Sequence, residues 1–215
     1  MKNVYLVGHM GAGKTTIGQE LAKNLNINFV DTDRNLERMY NMPVTEIFKT
    51  RGEQEFRIYE TASLLQTTLV DSTIVSTGGG ILMRPCNGKY MKEAGLVIYL
   101  RMSEATQLDR LTRDKELKTR PIVASCKTKE ELQQRIKYLH QERNLAYEYF
   151  ADFAIDVDKK SVNSIVFTIA NFLEANRLII ERNEHRGRFN TNEPHYSPYS
   201  RRRVQAKKIR IVEDI

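Results

Sequence analysis

Gly8-His9-Met10-Gly11-Ala12-Gly13-Lys14-Thr15 joins the apolar run Val4-Tyr5-Leu6-Val7 to a stretch in which Ile17, Leu21 and Leu25 recur at fourfold spacing. The octet satisfies G-x-x-x-x-G-K-[ST] at every position, and it lies between strand and helix, where that pattern cradles a phosphate. Glycines let the backbone wrap an anion with successive N–H groups turned inward. The helix N-terminus behind them adds partial positive charge. In such a loop Lys14 reaches the β- and γ-phosphates of a nucleotide and the Thr15 hydroxyl binds Mg²⁺. An ordinary glycine-rich turn is the plainer reading, and the joint fit of spacing and context argues against it. Gly11, Ala12, Gly13, Lys14, Thr15 and Thr16 are therefore expected around the nucleotide.

The same alternation of strand and helix continues along the chain. Asn28-Phe29-Val30 reads as a second strand ending at Asp31, and residues 34–69 are helical with breaks at Pro43 and Gly52. Thr73-Ile74-Val75-Ser76 is a third strand stopped by Gly78-Gly79-Gly80, and Leu96–Leu100 a fourth, followed by a helix through Leu108 and Leu111. Residues 114–127 are charged, contain Pro121 and lack periodicity, which predicts a mobile loop. A long helix over about 128–148, a fifth strand at Phe153–Val157 and a helix from near Ser161 complete the series. Short apolar strands alternating with helices specify an α/β fold, a parallel sheet covered on both faces. There is no internal repeat.

Composition narrows the function classes. The 215 residues hold 34 Lys+Arg and 27 Asp+Glu, a formal net charge of +7, with 40% hydrophobic and 28% charged residues. This describes a soluble globular chain of one α/β domain with an appendage. Residues 176–215 carry 10 Lys+Arg against 5 Asp+Glu, which leaves residues 1–175 nearly balanced at +2. A nucleic-acid role can thus apply only to the tail, where Arg201-Arg202-Arg203 follows Tyr196 and Tyr199 and basic and aromatic groups together suit single strands. The composition predicts a solvated, weakly ordered tail, with the last helix running a few turns beyond 175; Ile209-Arg210-Ile211-Val212 alternates briefly, as a short strand does. Cys86 and Cys126 supply neither a disulfide framework nor a multi-thiolate metal site. No run approaches the length of a membrane span, and Gly8, His9 and Lys14 interrupt any leader-like apolar segment. A cytoplasmic protein without membrane partners is expected.

Several side chains ask for a partner. The second strand ends Asp31-Thr32-Asp33, while the third and fourth offer no carboxylate at the sheet edge. Asp31 would then bind the ion through water and Asp33 face an acceptor; capping of the following helix is the alternative for either. In the long helix Leu132, Ile136, Leu139, Ala146 and Phe150 form a stripe that includes Arg143. An inward arginine needs a carboxylate or phosphate, so Arg143 either pairs with a protein acid or floors an anion site. Arg57 lies off the expected buried face of Ile58, Ala62, Leu65 and Leu69, and Glu53 and Glu60 stand at helical reach for an ion pair. Arg113 and Arg120 border or belong to the mobile loop, from which a lid commonly delivers a cation to a transferring phosphoryl group. Lys115, Lys118 and Lys127 read as solvated. Three glycines at 78–80, at the strand end where open α/β sheets bind ligands, suggest a pocket wall more than a tight turn.

Taken together, Gly8–Thr15, Asp31-Thr32-Asp33, Gly52-Glu53-Gln54-Glu55-Phe56-Arg57, Gly78–Gly80, Arg120-Pro121 and Glu142-Arg143…Tyr147 resemble the shikimate kinase family in order and approximate spacing, over residues 1–174. The resemblance implies a P-loop kinase fold of the nucleoside-monophosphate-kinase type, with three layers, a five-stranded parallel sheet and a lid at about 112–127. It implies Mg²⁺-dependent transfer of the ATP γ-phosphate to the 3-hydroxyl of shikimate, within aromatic amino-acid synthesis. On that basis Asp33 orients the acceptor hydroxyl, Arg57 and Arg143 bind the shikimate carboxylate, and Gly78, Gly79 and Gly80 complete the pocket. Lys14 and Arg120 stabilise the transferring group, Arg113 lies near adenine, and the chain is a monomer. A kinase for gluconate or a nucleoside monophosphate is the nearest alternative, and a nucleotide-dependent RNA-binding protein acting through the tail is the alternative from another class.

Overall fold

A computed structural model describes residues 2–113, 123 and 125–176. The elements are β1 (Asn3–Val7), α1 (Lys14–Leu25), β2 (Asn28–Asp31), α2 (Thr32–Tyr40), α3 (Val44–Thr67), β3 (Thr73–Ser76), α4 (Pro85–Ala94), β4 (Gly95–Arg101), α5 (Glu104–Arg113), α6 (Lys129–Phe150), β5 (Phe153–Asp156) and α7 (Val162–Ala175), with a 3₁₀ turn at Ile81–Met83. The strands form one parallel sheet in the order β2-β3-β1-β4-β5. The chain moves outward from β1 to β2, returns through β3, and only then crosses to β4 and β5. The strand order therefore reverses beside β1, and ligands of open α/β sheets bind at such a reversal, outside the C-terminal strand ends.

Alternation along β1 divides the core into two layers. Val4 and Leu6 pack with Ile17 and Leu21 of α1 and with Ile165, Ile169 and Leu173 of α7. Tyr5 and Val7 point the other way, to Leu64 of α3, Met91 of α4, and Tyr147 and Phe150 of α6. The strand is buried along its whole length, which is why it reads as a continuous apolar run. Register carries the pattern outward: Tyr5 stands opposite Val75 on β3 and Val97 on β4, and both join the second layer.

The expected breaks in the long helical region are present. Pro43 separates α2 from α3, and Gly52, at φ 81° and ψ 174°, interrupts α3 with a kink. Helix starts follow the capping rules: Thr128 and Glu131 form a reciprocal capping box at α6, and the Ser161 side chain accepts from the Ser164 amide at α7. The expected inward face of α3 is corrected. Ile58 is 54% exposed and Leu69 78% exposed, whereas Phe56, Arg57, Glu60, Ser63, Leu64 and Thr67 are buried. The helix turns a partly polar face inward because that face borders the strand ends, and its arginine is paired by carboxylates of the same helix.

α7 is described to Ala175, with Asn176 as its cap. The further turns, the strand at Ile209–Val212 and the arginine-tyrosine tail expected from the sequence lie outside the described residues, as does most of the loop at 114–127. Among the described residues no helix is long and apolar enough to cross a membrane.

Candidate active site

A cavity of about 620 Å³ opens over the C-terminal ends of β1, β2 and β3. Its walls include Gly11, Gly13, Lys14, Thr15 and Thr16 from the loop after β1, Asp31 and Asp33 from the end of β2, Gly78–Gly80 from the end of β3, Arg57 and Glu60 from α3, and Arg143 from α6. These are segments far apart in sequence, brought together because every strand ends on the same edge.

Lys14 opens α1 and is buried, with Nζ donating to the carbonyls of Gly8 at 2.7 Å and His9 at 2.8 Å. Gly13, the residue before it, is in the left-handed region at φ 91°, a conformation that favours glycine and turns the chain into the helix. Ala12 lies under the loop rather than in the cavity, fully buried in the first core layer. The Thr15 hydroxyl donates to Asp31 Oδ2 at 2.8 Å and lies 3.4 Å from Ser76 Oγ. Asp31 Oδ1 meanwhile accepts from the amides of Asp33 and Arg34. Of the two readings of Asp31 the cap is present: one oxygen caps α2, and the other faces the phosphate loop through Thr15.

The triple glycine is a wall. A Cβ on Gly78 would come within 2.6 Å of Glu60 Oε1 and 2.8 Å of Asp33 Oδ1, and one on Gly80 within 2.2 Å of Arg57 Nη1. A side chain at either position would displace these carboxylates or the guanidinium from where they stand. Thr32, between the two aspartates, holds the turn: its hydroxyl accepts from the Gly78 amide and its carbonyl accepts from Ser63 of α3.

Arg57 and Arg143 meet adjacent glycines of this wall. Arg57 donates to Glu60 Oε2 at 2.8 Å and to Glu53 Oε1 at 2.9 Å, so the intrahelical pairing expected from spacing exists, and the side chain also lines the cavity. Burial works against its charge, but the Glu60 and Glu53 carboxylates outweigh that and hold the guanidinium protonated. Glu60 is 1% exposed, and its Oε1 has no hydrogen-bond partner among the described residues. Burial pushes its carboxyl above the usual range, against the pull of Arg57 and Arg143. Arg143 donates Nη1 to the Gly79 carbonyl at 3.0 Å and Nε to Glu142 at 3.3 Å. The Tyr147 hydroxyl donates to the same Gly79 oxygen.

Arg113 ends α5 and pairs with Asp109 at 2.8 Å on an exposed face, and it is not among the cavity walls. Arg120 lies outside the described residues. Sequence reading missed the apolar side of the cavity, Val44, Phe48 and Phe56, with the two phenyl rings 4.3 Å apart. Its signal was present in the apolar spacing around Gly52, but nothing local distinguishes a cavity wall from core. Among the described residues no group of three His, Cys, Asp or Glu side chains could hold a metal ion by itself.

Comparison with known proteins agrees with this geometry. The shikimate kinase family model matches residues 10–174. A shikimate kinase of Bacillus mycoides is 39% identical over 166 residues, 77% of this chain and 94% of that protein. One from Caldanaerobacter subterraneus subsp. tengcongensis is 36% identical over 165 residues, 77% of this chain and 92% of its own. The structure of Acinetobacter baumannii shikimate kinase in complex with shikimate superposes with a TM-score of 0.76 at 33% identity, covering 83% of this chain and 96% of that one. A phosphate loop, a carboxylate at the end of β2 and two arginines on a glycine wall thus coincide with likeness over nearly the whole length of these relatives, and the chain belongs to the shikimate kinase family.

Proposed function

We propose that the protein transfers the γ-phosphate of ATP to the 3-hydroxyl of shikimate, giving shikimate 3-phosphate and ADP. The observation that carries this reading is the pairing of Arg57 and Arg143 on the Gly78–Gly80 wall, in the cavity that also holds Lys14 and Asp33. Two guanidiniums beside bare backbone suit a small, rigid carboxylate. A nucleotide acceptor would instead need a surface to stack and read a base.

In the proposed reaction Asp33 accepts a hydrogen bond from the 3-hydroxyl and orients its oxygen toward phosphorus. A bond forms from that oxygen to the γ-phosphorus as the bond to the β,γ-bridging oxygen breaks, and the hydroxyl proton passes to Asp33. Lys14 leaves the Gly8 and His9 carbonyls to meet the phosphates, and with Arg120 offsets charge on the transferring group. Positioning and electrostatic stabilisation supply most of the rate in such a transfer. Thr15 and Asp31 present oxygen donors side by side, the type Mg²⁺ prefers, and too few to hold it without phosphates. These residues would hold the ion, which when bound neutralises phosphate charge. Thr16 and the loop backbone would bind the phosphates, and Arg113 would lie near adenine. The protein would work as a cytoplasmic monomer, with the segment 112–127 as a lid over the nucleotide.

A coupled ADP-release assay across shikimate, gluconate and nucleoside monophosphates tests the assignment. Turnover with shikimate alone is expected, and turnover with gluconate but none with shikimate would overturn it. Asp33→Asn should keep ADP binding while losing roughly a hundredfold or more in kcat.

A further inference from the structure

The second residue of the phosphate loop is a histidine that neither phosphate binding nor the acceptor pocket calls for. His9 is 1% exposed and lies flat on His140 of α6, ring centroids 3.8 Å apart and planes inclined by 9°. Its edge meets the Tyr147 ring at 5.0 Å. Hydrogen bonds assign the protons of both imidazoles. Gln107 of α5 donates Nε2 to the Met10 carbonyl at 3.0 Å, so its Oε1 is the atom 2.7 Å from His140 Nε2, and His140 is the donor there. His9 Nε2 lies 2.8 Å from Asn144 Oδ1, which also accepts from the Tyr99 hydroxyl at 3.3 Å, so His9 donates as well. Two buried rings in face-to-face contact are compatible with these neutral forms and not with two cations.

The partners on either side of the stack are what give it consequence. Asn144 follows Arg143 directly on α6, and His140 lies one turn before it. Gln107 belongs to α5, from which Arg110 also donates to the Gly11 carbonyl at 2.9 Å. The phosphate loop is thus held on one side by amide and guanidinium donors of α5, acting on backbone carbonyls, and on the other by a side-chain bond from His9 to the helix that carries Arg143.

We infer that His9 is a positioning residue for the acceptor, which through Asn144 keeps Arg143 in register with the phosphate loop, while Gln107, through the Met10 carbonyl, keeps the loop itself in shape for the nucleotide. The inference rests on the shikimate kinase reading of the site. It assigns opposite effects to the two ends of one network, which a role in stability alone does not.

Steady-state kinetics with shikimate and calorimetric titration with ADP, both on the full chain, separate the two ends. His9→Leu, which keeps an apolar filling but removes the donor, should raise the shikimate KM about tenfold, with ADP affinity within about twofold. Asn144→Ala should do the same from the other side, and it decides the matter if the His9 variant does not fold. His9→Gln, which restores a donor, should recover most of the loss. Gln107→Leu should show the reverse split, with ADP binding weakened several-fold and the shikimate KM nearly kept. An unchanged shikimate KM in Asn144→Ala, or parallel shifts of both constants in all variants, would overturn the inference and leave the assigned reaction standing. Absence of shikimate turnover in the unsubstituted protein would overturn both.

Discussion

Arg57 and Arg143 stand against neighbouring glycines of the same wall, yet their charges are handled in different ways. Arg57 carries two carboxylates from its own helix, one of them almost fully buried. Arg143 has a backbone carbonyl and a longer contact to the partly exposed Glu142. Arg57 thus has two carboxylates in direct contact, while Arg143 has one and feels Glu60 without a direct bond to it. The contrast teaches that an inward arginine is not a single kind of signal. On α3 it belongs to an ion network within one helix, and on α6 it is held by a backbone carbonyl and one longer ionic contact.

The largest effect expected is a control on this contrast. Lys14→Met should lower kcat by orders of magnitude through lost stabilisation of the transferring group, while shikimate binding measured by calorimetry persists, because both arginines remain. Loss of shikimate binding in that variant would break the division between phosphate and acceptor sides.

Next come the arginines themselves. Arg143→Ala should raise the shikimate KM about a hundredfold, since charge-assisted bonds to a carboxylate are the strong ones, with a modest stability change seen in chemical denaturation. Arg57→Ala should also weaken shikimate. It should in addition cost about 3 kcal/mol in unfolding free energy, because Glu60 would be left buried without its partner. Equal stability losses for the two variants would erase the distinction.

Acid and base limbs of stability sharpen the comparison further. Burial, and to a smaller degree His140, Lys14 and Arg143, lower the His9 pKa from its ordinary 6.5 to about 3, despite the bond to Asn144. The unfolded chain then binds a proton that the folded protein refuses, so stability falls as pH drops from about 6.5 toward 3, by up to about 1.4 kcal/mol per pH unit. His140 is shifted in the same direction by burial. Glu60 acts with the opposite sign. Its folded carboxyl holds a proton above the ordinary 4.5, so its contribution is present at low pH and is lost as pH rises through the raised value. Urea titrations across pH should show a flatter acid limb in His9→Leu and a flatter loss on the higher-pH side in Glu60→Gln.

The smallest effect expected is at the outer member of the arginine network. Glu53 is largely exposed, and Glu53→Gln should change stability by no more than about 0.5 kcal/mol and leave the shikimate KM near its starting value. A loss as large as that of Arg57→Ala would show that the network's strength lies in its exposed arm.

Local pattern reached far into this molecule. The five strands, the helices after β1, β2, β4 and β5 and the breaks at Pro43 and Gly52 follow from short apolar runs, fourfold spacing and two residues that helices tolerate poorly, whereas α4, between β3 and β4, is not read from them. The phosphate loop is legible because a backbone anion site needs glycines and a lysine at consecutive positions, and Arg143 because an apolar stripe contained a charge. Contacts across the sheet edge are another matter. That α3 buries Arg57 and Glu60 rather than Ile58 and Leu69, that Asp31 both caps α2 and meets Thr15, and that His9 stacks on His140 all depend on where distant segments come to rest. Spacing along a chain encodes which face of an element is apolar and which charges can pair within one helix; which side chains meet across the sheet edge is decided only when the strands have aligned.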